Sequence, residues 1–499
     1  MMKAIFLACA MLGITLASTS ISANTSYTRK SIYNMTDAEI REYARGVKAL
    51  KALPKTDARN WFYQSGIHGH LNPTISNPNL KPYSLDPALY NVQNNAWDRC
   101  HTWASGTNSD LFLLWHRVYI YYLEQSMRSV LNNPNFALPY WDYTSMSDLD
   151  RRKLPPAFRM LRLSANIVPR TLTNTQSILT LPNNQTRLLE ISPNLTRLQR
   201  NGVLNNLSLY NGLYAVRDAA LMQGQRIQIG DNALKDFINK SNYLEFSQGL
   251  ENNLHGPIHM NIGNSQQSNV VMGNVNIAAQ DPIFYLHHAN VDRIWSCWET
   301  RYRNLDQSQL AGVFYFPKAD GTLQSLTVRQ MYDLAKNMNY RYDSIQDCQA
   351  QMRPRLTLNN KIIRMKFPKP IVINQRLQQF PLSQQSELQA QVKMAASTGL
   401  AGGKLVLSNI QAPDNLGAVY QVYLTDGGKL RSFVGTVAFF GHAQHNMNLE
   451  FDIEDEVQQL QRQGVKPTQF TIEIEPKDAT VQAKDRLTIQ ALELQLIPK

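Results

Sequence analysis

The pattern that most constrains this chain is a set of histidines at helical spacing. His255 and His259 stand four residues apart in Leu250-Glu-Asn-Asn-Leu-His255-Gly-Pro-Ile-His259. More imidazoles follow in Asp281-Pro-Ile-Phe-Tyr-Leu-His287-His288-Ala-Asn-Val-Asp-Arg293. Residues i and i+4 are neighbours on one helix face, so His255 and His259 can grip a single ion. Glu251 lies one step earlier on the same stripe. On the next helix Phe284, His288, Val291, Trp295 and Trp298 form one inward stripe, and His287 points about 100° away from it. His288 is therefore the expected third ligand and His287 its neighbour. Burying three imidazoles together needs a reason, and a metal supplies one.

His68, His101 and His116 form a second group upstream. His116 shares a helical stripe with Phe112, Tyr119, Leu123 and Met127. Two triads point to a pair of ions sharing one substrate rather than to one structural ion. Zinc hydrolases commonly use His-Glu-x-x-His, but Gly256 follows His255 here and removes that base. Structural zinc favours Cys ligands, and none fit the pattern. All-imidazole, redox-capable sites suit copper. Two coppers about 3.5–4 Å apart would clamp a small bridging ligand, for which dioxygen is the natural candidate.

The chain has 499 residues, 43% hydrophobic and 18% charged, enough for one large core or two domains. Lys3, the apolar run Ala4 to Ala17 and the small residues of Ile21-Ser-Ala23 read as a secretory signal over residues 1–23. Export to the periplasm or beyond follows. No other run is long and apolar enough to cross a membrane. Without Cys9, three cysteines remain: Cys100, Cys297 and Cys348. They allow at most one bridge, and buried thiols are the plainer reading. The net charge of +12 comes with no basic run and no nucleic-acid motif, so neither nucleic acid nor membrane is an expected partner. The sequence sets no oligomeric state.

Thr36-Asp-Ala-Glu39 is a capping box opening a helix towards Leu53. Residues 60–108 are rich in Asn, Pro and Gly and read as mostly loop. Helices are expected over 111–131, 244–260 and from Asp281-Pro282 to about 303, with short helices and loops over 145–240. After about residue 350 the pattern turns to short β-type runs. These are Lys404–Leu407, Tyr420–Leu424, Phe433–Phe439, Phe470–Ile474 and Leu487–Gln490. The expected architecture is a mainly α catalytic domain over 24–350, a four-helix bundle around a dicopper site. A linker over 351–395 and an all-β sandwich over 396–499 follow it.

The stretches Phe112-Leu-Leu-Trp-His116-Arg117, His255-x-x-x-His259 and Asp281 to Arg293 resemble the copper motifs of tyrosinases and catechol oxidases, the type-3 copper polyphenol oxidases. The resemblance covers about residues 55 to 305, and the tail is similar to the C-terminal β domain of plant-type members. It implies that His68, His101 and His116 hold the first copper and His255, His259 and His288 the second. His70 is the alternative to His68. Glu251 matches the carboxylate that orients a water and helps deprotonate a phenol. Val275 and Gly256 fall at substrate-gate positions: Val275 where a Phe often stands, Gly256 where some strong monophenol hydroxylases carry Asn. The expected substrates are phenolic small molecules and O2. Catechols would go to o-quinones, and monophenol hydroxylation on the same site stays open. An oxidase for aminophenols or phenolic acids, or a haemocyanin-like oxygen carrier, are the alternatives. His101 needs a longer loop before His116 than the family's usual spacing, which would fall on Thr107. Cys100 directly precedes His101, too close for an unstrained crosslink. The β domain is read either as a cover over the active-site mouth or as a stability module, and His442 and His445 as loop residues.

Overall fold

The computed structural model describes residues 26–71, 111–159, 176–180, 186–190, 213–263, 271–352, 362–373, 376–385, 388–412, 418–440, 447–477 and 486–499, apart from 214, 216 and 398. The expected signal segment, Cys9, Cys100, His101, Thr107, His442 and His445 lie outside the described residues.

Strand β1 (Tyr27–Arg29) leads into α1 (Asp37–Ala52). The Thr36–Glu39 box closes at the start of α1 in both directions, as expected. Helix α2 (Trp61–His68) occupies part of the stretch read as loop. Its start is set by Asn60, whose Oδ1 accepts from the amides of Phe62 at 2.9 Å and Tyr63 at 3.3 Å. One short helix among Asn, Pro and Gly leaves too little periodicity to see. Helix α3 (Phe112–Leu131) runs as expected and stops at Asn132, which takes the left-handed conformation at φ 50°.

The helix expected over 244–260 is three pieces. These are α4 (Tyr243–Leu250), a π turn (Glu251–His255) and α5 (Gly256–Ile262). Pro257 has no amide to give the Asn253 carbonyl, and the Gly256 amide bonds instead to the Glu251 carbonyl, widening the turn. Helix α6 (Ile283–Trp298) begins where Asp281 Oδ1 accepts from the Ile283 amide at 2.9 Å. It ends sooner than expected. In the region read as short helices and loops, β2 (Gln176–Thr180) and β3 (Thr186–Glu190) form an antiparallel pair. Strands β4 (Val313–Pro317) and β5 (Leu323–Thr327), helix α7 (Val328–Asn337), strand β6 (Tyr340–Tyr342) and helix α8 (Gln346–Gln351) complete this half. Parallel pairing of β1 with β6 ties its two ends together.

The second half is a two-sheet antiparallel sandwich. One sheet orders β13 (Met447–Asp452), β10 (Leu400–Gln411), β15 (Leu487–Pro498) and β7 (Ile363–Lys366), with β8 (Ile371–Ile373) also on β15. The other orders β12 (Arg431–Ala438), β11 (Val419–Thr425), β14 (Thr471–Pro476) and β9 (Gln378–Pro381). Helices α9 (Gln389–Ser397) and α10 (Glu454–Arg462) belong to this half, and alternating residues of both sheets share its core. The five expected runs all coincide with strands, with Phe439 and Phe470 one residue outside β12 and β14. The expected linker does not hold: β7, β8 and β9 lie inside 351–395 and pair with β15 and β14. These strands are three or four residues long, and Ile363, Met365, Ile371 and Ile373 give too brief an alternation to stand out.

Cys297 and Cys348 form a disulfide joining the end of α6 to α8, so the plainer reading of buried thiols gives way to a bridge. Among the described residues no helix is long and apolar enough to cross a membrane.

Candidate metal centre

Helices α2, α3, α5 and α6 and the π turn before α5 bring five of the named imidazoles together: His68, His116, His255, His259 and His288. His116 and His288 stack at 4.2 Å between centroids with planes 6° apart, across α3 and α6. His68 lies 5.7 Å from His116, and His255 lies 4.7 Å from His259 and 5.0 Å from His288. His70 lies beyond the end of α2, half-buried. Phe112 walls the cluster at 4.7 Å from His255, and Phe284 at 4.2 Å from His288. All five imidazoles are at most 2% exposed.

Backbone carbonyls aim two of the rings. His116 Nδ1 sits 2.8 Å from the Phe112 carbonyl, and His259 Nδ1 sits 2.9 Å from the Met272 carbonyl. A carbonyl can only accept, so each Nδ1 carries the proton and each Nε2 keeps its lone pair. His259 Nε2 and both nitrogens of His255 and His288 are buried without a hydrogen-bond partner. Orphaned polar atoms of this number inside a dry core are what a ligand set looks like before its ion is added.

Electrostatics hold the rings neutral. Burial, then the nearby His259, lowers the His68 pKa to about 3, with the Val275 backbone partly opposing. Burial also drives His255, His259 and His288 well below the ordinary imidazole range, helped most by His259 beside His255, by His287 beside His259 and by His116 beside His288. Neutral imidazole is the form that binds metal.

The ligand atoms of His255, His259, His287 and His288 all lie within 4.8 Å of one another. His287 is thus closer to the centre than helix periodicity implied. It stacks on His255 at 5.2 Å, but its Nδ1 is held by the Tyr143 hydroxyl at 2.9 Å. His288 has both nitrogens unpartnered. Glu251 is 2% exposed at the start of the π turn. Val275 lies partly buried, and a Cβ on Gly256 would rest 3.5 Å from the Glu251 carbonyl oxygen and 3.7 Å from Phe440 Cβ.

Three features escaped the sequence. Phe440, just past β12, lies flat on His259 at 3.7 Å with planes 8° apart, and edge-on to His255 at 5.7 Å. No local pattern marks which loop of a sandwich will face the imidazoles. Behind the ligands, Asp292 of α6 takes ion pairs from Arg117 of α3 at 2.5 Å and from Arg29 of β1 at 3.0 Å. The hydroxyls of Tyr340 and Tyr342 donate to it at 2.5 Å. Burial raises the Asp292 pKa, but Arg117 and Arg29 outweigh that and hold the carboxyl below its usual range. Third, Arg217 and Asp281, both fully buried, pair at 2.5 Å and fix the start of α6.

Residues 58–301 match the family described as the common central domain of tyrosinase. Polyphenol oxidase A1, chloroplastic, of Vicia faba is 24% identical over 501 aligned positions, taking in 91% of this chain and 75% of that protein. Tyrosinase HcTyr1 of Hahella sp. (strain CCB-MM4) is 27% identical over 291 positions, and this chain spans about half of it, 53%. Among solved structures, a recombinantly expressed latent aurone synthase (polyphenol oxidase) superposes with a TM-score of 0.54 at 18% identity, over 96% of this chain and 90% of that one.

Proposed function

The chain belongs to the type-3 copper polyphenol oxidases, an oxidoreductase family with a dinuclear copper site, and from that premise we propose that it oxidises o-diphenols to o-quinones with O2. The carrying observation is the buried cluster of imidazoles, several with orphaned nitrogens, on four helices and the π turn. In this reading His68, His101 and His116 hold the first copper and His255, His259 and His288 the second. The copper pair, when bound, accepts electrons from the phenol and passes them to dioxygen. Overall, two diphenols lose two electrons and two protons each, and one O2 becomes two waters.

The chain's own residues set the conditions for that exchange. The Phe112 and Tyr119 faces of α3 and the Phe284 face of α6 keep water away from the ligands. Carbonyls of Phe112 and Met272 hold two rings in the ligating tautomer. Glu251, buried at the π turn beside His255, takes the proton of an entering phenol. Val275 and Gly256 leave the approach wide on the catalytic side. Phe440 fills it from the β domain, so the β domain acts as a cap. Monophenol hydroxylation is the second activity this site would support.

Export by residues 1–23 fits the Cys297–Cys348 bridge, since disulfides persist in oxidising compartments. Oxygen uptake by copper-loaded protein on catechol and on tyramine tests the activity, once the β domain is displaced. No uptake with either substrate would reject the enzyme reading.

A further inference from the structure

The β domain meets the catalytic half across a cluster of acids. Asp236, in the short helix Lys235–Ile238, is half-buried at that junction. Its Oδ1 accepts from the Asp452 amide of β13 at 2.6 Å, and its Oδ2 from Asn253 Nδ2 at 3.3 Å. Glu456 of α10 is 4% exposed, and its Oε2 accepts from Asn232 Nδ2 of the catalytic half at 3.3 Å. Asp452 is buried beside both.

The bases around this cluster pair with acids at its rim. Lys235 pairs with Asp455 at 3.2 Å, and Arg152 with Asp231 at 2.8 Å. Lys240 and Lys404 both reach Glu450, at 2.9 and 3.1 Å. Glu454 donates its amide to Asp452 Oδ1 at 3.0 Å. Among the described residues no basic side chain forms an ion pair with Asp236 or Glu456. Ionising a buried carboxyl such as Glu456, or a half-buried one such as Asp236 among other acids, is costly without a counter-charge, so both groups hold their protons when the halves are docked.

We propose that the carboxyls of Asp236 and Glu456 form a proton-dependent latch that holds the β domain on the imidazole cluster and releases it as the medium turns alkaline. This regulation rests on the reading of Phe440 as a cap. Burial, then the charges of Asp455, Asp452 and Asp231, raise the Glu456 pKa to about 8. Burial chiefly, with Asp452 and Glu456 adding, raises Asp236 well above the carboxylate range. Released into water, both return to ordinary carboxylate values near 4. A group whose pKa is higher docked than free favours docking below its free value and loses that contribution as pH rises through its docked value. The Glu456 contribution is therefore full in acid, weakens above about pH 4–5 and is spent past about pH 8, and the Asp236 contribution likewise starts to fall above its ordinary value. Asn253 bonds both Asp236 and the Glu450 carbonyl two residues before His255, so the latch is anchored on the π turn itself.

The test uses the full copper-loaded chain and its Asp236→Asn/Glu456→Gln variant. Hydrogen exchange of segments 230–240 and 447–452 is followed at pH 5 and pH 9, corrected for intrinsic rates. Protection in the wild type should fall at least about tenfold between the two, and less than about twofold in the variant. Wild-type protection that stays flat, or a variant that opens as the wild type does, overturns the latch. Glu456→Gln alone keeps the test decisive if the double variant misfolds, because it should remove the share of the opening that develops between about pH 4 and about pH 8. Catechol oxidation is read alongside at matched pH. Domains that separate in the wild type without a rise in rate over the closed variant reject the cap and leave the latch standing.

Discussion

The Phe440 ring covers the His259 imidazole face to face, 3.7 Å between centroids. A phenol approaching the second copper would need that space, so the side chain and a substrate compete for one place. Phe440→Ala should raise the initial rate of catechol oxidation by about tenfold at low substrate, equivalent to about 1.4 kcal/mol of lost competition. Oxygen uptake at matched copper content measures it, with circular dichroism as the check on folding. An unchanged rate in a folded variant would remove Phe440 from the cap.

His287 and His288 differ in what their nitrogens do, and copper content should show it. His288→Ala should lower the stoichiometry from two coppers per chain to one, by loss of a ligand with both nitrogens free to serve. His287→Ala should leave two, because a Tyr143 hydroxyl donating to Nδ1 puts the ring proton on Nε2 and leaves no lone pair for copper, the reverse of the carbonyl partners of His116 and His259. His101→Ala and His70→Ala belong in the same series, and loss of one copper is expected from the first alone. Elemental analysis of dialysed protein decides each case.

The closeness of His255, His259 and His288 was legible because helix periodicity sets the first two one turn apart and puts the third on the inward stripe of its own helix before any fold is known. The strands from Lys404 onward were legible for the same reason, with a period of two. Short elements were not: α2 and β7 to β9 carry too few residues to show a period. Nor were the π turn, which needs Pro257 and Gly256 to be read together, and the place of Phe440, which depends on how two halves dock. The Asp292 network was invisible because Arg29 and Asp292 are 263 residues apart and meet only in the folded chain.

Asp292 links α6, which carries His288, to α3, which carries His116, through Arg117, and it is 3% exposed. Asp292→Asn would leave Arg29 and Arg117 buried beside an uncharged amide. The expected loss is about 3–5 kcal/mol of stability, because removing one partner strands the other charges. Because its folded pKa is depressed, the Asp292 contribution should persist above the ordinary carboxylate range and vanish as pH falls below it. Urea unfolding of wild type and variant between pH 3 and pH 7 reads both effects. A wild-type advantage unchanged down to pH 3 would argue against the carboxylate.

The Cys297–Cys348 bridge closes a loop of 51 residues between α6 and α8. Chain-entropy arguments give a loop of that length about 4 kcal/mol of stabilisation. The double variant Cys297→Ala/Cys348→Ala should unfold at correspondingly lower denaturant, and a reducing agent should bring the wild type towards it. Equal midpoints with and without reductant would show that the two sulfurs are not joined in solution.

Gly256 ties the chemistry of the site to its cover. Its Cβ position faces Phe440 Cβ at 3.7 Å, an ordinary contact that a methyl group fills without strain. A larger side chain reaches past that contact towards the Phe440 ring. Gly256→Ala should therefore leave the closed state intact, and Gly256→Leu should push Phe440 off His259. The first should oxidise catechol at the wild-type rate, and the second about tenfold faster at low substrate, with copper content at two in both. Gly256→Leu paired with Phe440→Ala should add little beyond either alone, since both act on one contact. Rates that multiply in the double variant would mean that residue 256 acts on the substrate and not through the cap.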